Sequence, residues 1–550
     1  MRTSILLLPL FVPLLACGAA ASQAYHAGDS DDFTSSSSSG GEGGSSWNGP
    51  ISTLTTSPGE TEGGGSTAGD TDGATSEADT SPEPAGPPSI ANFSLTPEPP
   101  ITVAGPITVK VWAADAEGVR MDLAGAVTEL AMIEPGLFEG EILVVTGFDH
   151  GGVAVVTPWR GDDDGAALEI PYAVELPEPG GEALFDVDYE SGLGVTAAIG
   201  VLQNGDAVEL LTLPHNASTG CFLRRRGADG EILGELAVLV PDHCKAVDLE
   251  VHEGAMFALL VAETVQGPQW WVAKVPHWGA FHSVVTTGDD KEVARDLAVS
   301  SSGVVAVCGS APTPEPDDLA DAVVHIVRPD FSSHARNFDF SKDGLYHKRD
   351  EEASGCAFDP NDDSRLILVG SVFGYLDKQI VEKINRRFDV LYDVETDAGE
   401  LRVADASLGA TQSFATDVVF AGGQAFVVGV VCGSDVCDQV EARMWVLDSD
   451  GDLTSTRSLG LHSNKALGPS RIRVTPAGYL VLASGGIAGS DEAFVVRAFD
   501  PLKTDPLWTY SRQDGGLVHR AHALAIGPYG QVYAGGFGAS GYPLFVTLYG

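Results

Sequence analysis

The sequence predicts an all-β protein: a seven-bladed β-propeller preceded by a small Ig-like β-sandwich and an unstructured tether. Three observations predict it. A two-strand pattern with a central Gly turn recurs seven times in the C-terminal two thirds. Short alternating apolar segments separated by turn residues fill the stretch before it. Ahead of that lies a long run almost without bulky apolar residues, which cannot bury enough surface to offset its ordering entropy.

Taken from the N-terminus, Arg2 is followed by an apolar segment from Ile5 to Leu15 and then by Ala16 and Cys17. One cation, a short apolar core and small residues make the layout of a secretory signal peptide. The core is too short for a membrane-spanning helix, which needs about 20 apolar residues. A Cys directly after Leu-x-Ala resembles the lipobox of bacterial lipoproteins. The resemblance implies removal of residues 1–16 and acyl chains on Cys17, and more than one chain gives stable anchoring. Gly18, rather than Asp, follows the Cys and implies outer-membrane delivery. The expected location is the bacterial cell envelope, lipid-anchored at the outer membrane, on its periplasmic or surface side.

Residues 17–88 form the expected tether, acidic and rich in Ser, Gly, Thr and Pro, including Ser35–Ser39 and Gly63–Gly65. A flexible coil of about 70 residues has ends roughly 45 Å apart. Residues 89–178 alternate as strands do: Ile107-Thr-Val-Lys-Val-Trp112, Gly140–Val145 and Gly152–Val156, with turn signals at Glu117-Gly118, Pro135-Gly136 and Asp164-Gly165. Under 100 residues with this spacing suggests an Ig-like sandwich. The segments Asp115–Val119 and Pro135–Glu141 resemble Ig-like modules of bacterial surface lipoproteins, without the Cys pair of antibody domains. A spacer role is expected.

Residues 180–550 carry the repeat. Its copies start at Ile199, Leu249, Leu297, Cys356, Val418, Ile472 and Leu524, about 48 to 62 residues apart, and are plainest in Leu297–Val307, Ile472–Leu482 and Leu524–Ala534. Such a period suits four-stranded blades. A third strand follows in each copy, near Phe222, Trp270, Val323, Ile380, Met444, Phe494 and Phe545. The seventh copy ends after its third strand. The alternating segment Ala183–Tyr189 is therefore expected to pair beside Phe545–Leu548 and close the ring, removing two unpaired edges. The turns at Asn204-Gly205, Pro476-Ala-Gly478 and Pro528-Tyr-Gly530 resemble bacterial propeller repeats of the Kelch-like and quinoprotein-like kind, but the quinoprotein Trp signature does not recur.

Composition narrows function. With 77 acidic against 31 basic residues, the formal charge is -46. Nucleic-acid binding, which needs a basic surface, is excluded as an expectation, and so is adsorption to anionic headgroups. Setting Cys17 aside leaves Cys221, Cys244, Cys308, Cys356, Cys432 and Cys437, an even number that suggests disulfides in an exported chain. Proximity in the blade scheme pairs Cys432 with Cys437, Cys221 with Cys244 and Cys308 with Cys356. All six fall on the face that holds the starts of first strands and the ends of second strands, together with the acidic insert Pro312–Asp318 and the connections Asp339–Ser354 and Glu395–Thr411.

The sequence shows no catalytic constellation. Neither His-Glu-x-x-His nor Gly-x-Ser-x-Gly nor a phosphate loop occurs, and His519 and His522, three apart, face opposite ways on a strand. Alternate acids at Asp448, Asp450 and Asp452 resemble the start of a calcium loop, but Leu459 stands where the distal Glu belongs; a hairpin turn is expected there, as at Gly161–Gly165, and no cofactor is expected. Arg224-Arg225-Arg226 reads as a solvated outer strand paired with acids. Asn216-Ala-Ser218 matches a glycosylation acceptor, of little weight in bacteria. The expected function is a non-enzymatic, monomeric binding or scaffold lipoprotein whose partners are the bilayer, through Cys17, and an envelope protein or glycan. One alternative is a propeller hydrolase, lyase or quinoprotein, which acids, His or a metal clustered in the central channel would favour. Another is an outer-membrane assembly scaffold, resembling the propeller lipoproteins that assist barrel insertion.

Overall fold

Each predicted strand group finds its partners in the computed structural model, which describes residues 86–549 except 103, 124–125, 145–150, 177–182, 184, 189–194, 216–217, 239–242, 265–266, 280–282, 287–291, 314–317, 339–346, 376–382, 404–411, 433–439, 463–468, 489–490, 504, 513–519 and 538–542. Cys17, the tether, Asn216, Cys437 and His519 lie outside the described residues. Among the described residues every regular element is a strand.

Eight strands come first: β1 (Asn92–Thr96), β2 (Gly105–Trp112), β3 (Gly118–Leu123), β4 (Ala126–Glu134), β5 (Leu137–Val144), β6 (Gly151–Arg160), β7 (Asp163–Asp164) and β8 (Leu168–Ala173). Their order is β1-β2-β5-β4-β3-β6-β7, with β8 also on β6. Strand β4 pairs with β3 up to Leu130 and with β5 from Ala131 on, so one long strand serves two sheets. On β2, Ile107, Val109 and Val111 point into a core shared with Val119, Phe138, Ile142, Val156 and Ile170, while Lys110 and Trp112 point out. Period-two alternation lets each strand bury one face. Gly136 makes the β4–β5 turn at φ +78°, where an added Cβ would lie 2.9 Å from the Ala114 Cα.

After β9 (Phe185–Asp188) the chain makes seven antiparallel meanders. The first is β10 (Val195–Val201), β11 (Ala207–His215), β12 (Ser218–Arg226) and β13 (Ile232–Val238). The second is β14 (Cys244–His252), β15 (Ala255–Thr264), β16 (Gly267–Val275) and β17 (Ser283–Thr286). The third runs β18 (Val293–Val299), β19 (Val305–Pro312), β20 (Asp318–Val327), β21 (Ser333–Phe338), and the fourth β22 (His347–Asp359), β23 (Asp362–Tyr375), β24 (Lys383–Asp393), β25 (Ala398–Val403). The fifth holds β26 (Gln412–Ala421), β27 (Gln424–Cys432), β28 (Val440–Leu447) and β29 (Leu453–His462). The sixth holds β30 (Pro469–Val474), β31 (Leu480–Ala488), β32 (Asp491–Phe499) and β33 (Pro506–Arg512). The seventh has only β34 (Arg520–Ile526), β35 (Gln531–Phe537) and β36 (Pro543–Tyr549), and takes its fourth strand from β9 in the register Leu544↔Asp188 to Thr547↔Phe185. Two short parallel bridges, Asp318↔Arg349 and Asn385↔Gln412, join the third, fourth and fifth meanders into one curled twelve-stranded sheet. First strands of consecutive meanders lie side by side throughout, and β34 lies beside β10.

Three boundaries differ from the sequence reading. The third strand of the fourth copy is not centred on Ile380; it runs Lys383–Asp393, where Phe388, Val390 and Tyr392 alternate inward. The fourth strand of that meander, Ala398–Val403, lies inside the expected connection Glu395–Thr411, and β22 already starts at His347 inside Asp339–Ser354.

All seven first strands carry a bulge at the same place: before Ala198, Asp248, Asp296, Gly355, Asp417, Arg471 and Ala523. A bulge bends its strand and re-aims the residues beside it. It also brings the first-strand carbonyl over the second strand. Hence Gly309, Gly370, Gly429 and Gly536 sit opposite, where a Cβ would fall within 2 Å of a carbonyl oxygen.

The seams between meanders are filled with particular contacts. Ser470 Oγ donates to the Ala521 carbonyl at 2.6 Å, and the Ser413 hydroxyl accepts from Arg387 N at 2.9 Å. Arg387 lies buried over the Trp445 ring, 4.8 Å away. Between the seventh and first meanders, Arg226 covers the Phe545 ring at 5.0 Å and pairs with Glu209 at 2.6 Å, and the Tyr533 hydroxyl donates to Gly205 O at 2.7 Å. The sandwich meets this last seam: Ala104 N donates to the Tyr549 hydroxyl at 3.2 Å and Ala104 O accepts from Gln531 Nε2 at 3.0 Å.

Candidate functional site

The bulge position gathers charge. Three of its seven occupants are Asp and one is Arg, drawn from β14, β18, β26 and β30. The carboxylate of Asp248 accepts the N–H of Leu249 on its own strand at 2.9 Å and that of Leu297 on β18 at 3.0 Å. Asp417 repeats the arrangement with Val418 at 2.9 Å and Ile472 on β30 at 2.8 Å. Asp296 accepts Cys356 N of β22 at 2.8 Å. Each Asp therefore satisfies a backbone donor of the following meander, which a buried N–H needs.

Arg471 joins the three. Its guanidinium lies 2.7 Å from Asp296, 3.2 Å from Asp248 and 3.9 Å from Asp417, and all four side chains are buried. Two residues further along the strands, Arg473 reaches Asp417 at 3.1 Å and Glu250 of β14 at 3.3 Å. This outer pair is more open, with Glu250 32% and Arg473 21% exposed.

Electrostatics divide the acids. Burial opposes ionisation of Asp248, but the Arg471 guanidinium, a hydrogen bond from Asp296 and Arg473 outweigh it and hold the carboxyl low. Asp296 goes the other way: burial, with the Asp248 and Asp417 carboxylates beside it, raises it well above the carboxylate range despite Arg471. Of the two neighbouring carboxyls, Asp296 is thus the one pushed toward its protonated form and Asp248 the one held ionised. Burial, aided by Asp248 and Asp417 and opposed by Arg473, pushes Glu250 up to about 7. Both arginines stay charged, because the acids more than offset the burial of their guanidiniums. His522, at the bulge of β34, is pushed down to about 4, first by burial and then by Arg471 and Arg520. It is neutral near pH 7.

The sequence-predicted residues fall elsewhere. Asp448 Oδ1 accepts the N–H groups of Asp450 and Asp452 at 3.0 and 2.8 Å, with Gly451 at φ +78°, so these three make the β28–β29 turn. Asp164, in the other acidic turn, pairs with Arg120. Arg224 and Arg225 pair with Glu235 and Asp206. Arg226 corrects the reading of a solvated run: it is 2% exposed and sits in a seam, where Glu209, the Gly230 carbonyl and the Phe545 ring meet its charge.

Cys221 on β12 is bridged to Cys244 on β14, with alpha carbons 5.6 Å apart, and Cys308 on β19 to Cys356 on β22, at 6.4 Å. Both bridges link neighbouring meanders. The sequence reading put Cys308 at the end of a second strand and Cys356 at the start of a first strand. They lie within their strands at bulge level, Cys356 next to Gly355, because β22 begins nine residues before Cys356. Cys432 is buried, and its expected partner Cys437 lies outside the described residues. The sulfurs of Cys308 and Cys356, grouped with Asp296 as potential ligands, are already joined to each other. With loops of 23 and 48 residues, replacing each pair by alanines should cost about 3 and about 4 kcal/mol on chain-entropy grounds. Urea midpoints of the two double variants under oxidising conditions would show it, and midpoints equal to the wild type would mean the bridges contribute nothing.

The axial cluster escaped the sequence reading, although a signal was present. Ala-x-Asp stands directly before the repeat marker at Leu249, Leu297 and Val418, and Arg471 stands in the equivalent place before Ile472.

Neither a protein-family model nor a curated protein matches the chain. Among solved structures it is similar to a structural genomics protein of unknown function from Bacteroides thetaiotaomicron VPI-5482, at 10% identity over 85% of this chain and 99% of that one, with a TM-score of 0.37. It is also similar to Sqt1 from Chaetomium thermophilum, at 9% identity over 68% and 98%, TM-score 0.37. A third is the cobalt-substituted Synechocystis ACO, at 9% over 68% and 93%, TM-score 0.33. Likenesses this loose decide neither the details of the fold nor the function.

Proposed function

We propose that this chain is a lipid-anchored lipoprotein of the bacterial cell envelope that displays a closed seven-bladed β-propeller as a binding or scaffold module. Seven meanders whose first strands neighbour one another from β10 round to β34, with β9 completing the seventh, support the closed ring. The orders β1-β2-β5-β4 and β3-β6-β8 are those of an Ig sandwich and support that reading of residues 89–178. The observation that carries the non-enzymatic reading is the saturation of the axial acids. The oxygens of Asp248, Asp296 and Asp417 are occupied by backbone N–H groups and Arg471, so these carboxylates hold blades together and are not presented to a substrate. Contact with a partner then falls to the loops, which a rigid scaffold positions.

A second reading rests on Glu250. An accessible carboxyl held near pH 7 beside Arg473 has the properties of a general base next to an anion anchor. Turnover of an envelope glycan, abolished by Glu250→Gln, would favour the enzyme; specific capture of an envelope component by wild type and E250Q alike favours the binding module.

Anchoring has its own test. Cys17→Ala is expected to move the protein from the membrane to the soluble fraction and to leave it unprocessed. Intact mass of the wild type lacking any acyl adduct on Cys17 would refute the lipoprotein reading.

A further inference from the structure

We propose that the axial cluster is a proton-operated clasp: with protons on Asp296 and Glu250 its six side chains are charge-balanced and hold four first strands together, and loss of those protons loosens the seams. Four carboxyls, Asp248, Glu250, Asp296 and Asp417, face two guanidiniums, Arg471 and Arg473, so full ionisation leaves two net negative charges in a cluster whose three aspartates are buried and whose Glu250 is 32% exposed. Uncompensated charge in such a cluster is costly. Among the described residues no other element packed there supplies the balance. Strands β10 and β22 place Ala198 and Gly355 at the bulge position, and β34 places Ala523 there beside His522, which is neutral near pH 7. Arg295, the bulged residue of β18, is engaged by Glu352 at 2.7 Å. His252, two residues beyond Glu250 on β14, lies 4.0 Å from Glu253.

The geometry makes proton loss mechanical. Asp248, Asp296 and Asp417 each bind a backbone N–H of the next meander, so repulsion among them acts on the seams between β14 and β18, β18 and β22, and β26 and β30. Arg471 alone touches all three carboxylates. Because Asp296 and Glu250 are both raised, the sign is that of a group favouring the protonated form in the folded state. Its stabilisation is full below the ordinary carboxylate range and is lost as pH rises, for Glu250 between its usual 4.5 and about 7.

The test is amide hydrogen exchange on the full chain, read at Leu297, Cys356 and Ile472 and corrected for the intrinsic pH dependence of exchange. From pH 5 to pH 8 the wild type should lose protection at these amides by roughly tenfold or more, with Leu544 to Thr547 in the closing strand much less affected. Glu250→Gln, which keeps the shape and fixes the neutral form, should flatten most of that loss. Infrared difference spectra give a second readout. The wild type should keep a protonated-carboxyl band at pH 6 that is weaker in E250Q. Equal pH dependence in both proteins, or no such band in the wild type, would overturn the clasp.

Discussion

Arg471→Ala is expected to lower folding stability by about 3–5 kcal/mol at pH 8, the usual cost of removing one partner from a buried ionic cluster. The residue is the common counter-ion of Asp248, Asp296 and Asp417. Without it, Arg473 is the one remaining cation of the cluster, and its acid partners are Asp417 and Glu250. Asp248 would stay charged and fixed to the backbone N–H groups it serves, with only the more distant Arg473 to offset it. The variant should therefore recover part of its stability as pH falls and the acids take up protons. Urea unfolding of wild type and variant at pH 5 and pH 8 measures both effects. Arg471→Lys, which cannot span three carboxylates with a planar fork, should lie between the two. A loss under about 1 kcal/mol, comparable with an exposed ion pair, would mean that the cluster does not hold the meanders together.

Deleting residues 185–188 should be nearly as damaging. Four register pairs tie β9 to β36, and at about 1 kcal/mol for each net hydrogen bond the ladder alone is worth roughly 4 kcal/mol. The loss also uncovers β36, whose Leu544, Phe545, Val546 and Leu548 are fully buried. An unpaired apolar edge of this kind invites pairing between chains. The expected result is a lower, broader thermal transition and concentration-dependent association in size-exclusion chromatography, both partly reversed by a peptide spanning 183–189 added in trans. A deletion variant that stays monomeric with an unchanged transition would show that β9 does not stabilise the seventh meander.

Strand content was legible because it is local. The alternation in Ile107–Trp112, the Gly turns and the seven apolar markers each lie within about a dozen residues, and the short seventh copy pointed to a fourth strand from elsewhere. The axial cluster was not legible by the same means. It takes single residues from positions 248, 250, 296, 417, 471 and 473, and a bulge, not the spacing, brings them together. A reading that aligned the residues just before each marker would have seen Asp three times and Arg once. Arg226 was misread because three consecutive arginines look like one solvated run; Arg224 and Arg226 share a face of β12, but Arg224 reaches out to Glu235 on β13, whereas Arg226 reaches Glu209 on β11 and the Phe545 ring. Cys356 was expected at the start of its strand, not well inside it, because the length of β22 is set by its pairing with β23, over fourteen residues of that partner, and not by a local turn signal.

The contact of Ala104 with Tyr549 and Gln531 bears on how this chain would carry load. A pull applied from the N-terminal side enters the sandwich first and then follows the backbone to β9, which lies antiparallel along β36. Ala104 offers a shortcut from the sandwich to β35 and β36, so tension divides between the covalent route and two hydrogen bonds at the far ends of those strands. Force arriving along the backbone reaches the β9–β36 ladder at the Phe185↔Thr547 pair, the end of β36 at which Ala104 holds Tyr549. The seventh meander, completed by β9, is thereby braced by the sandwich at the end where a pull from the N-terminal side arrives.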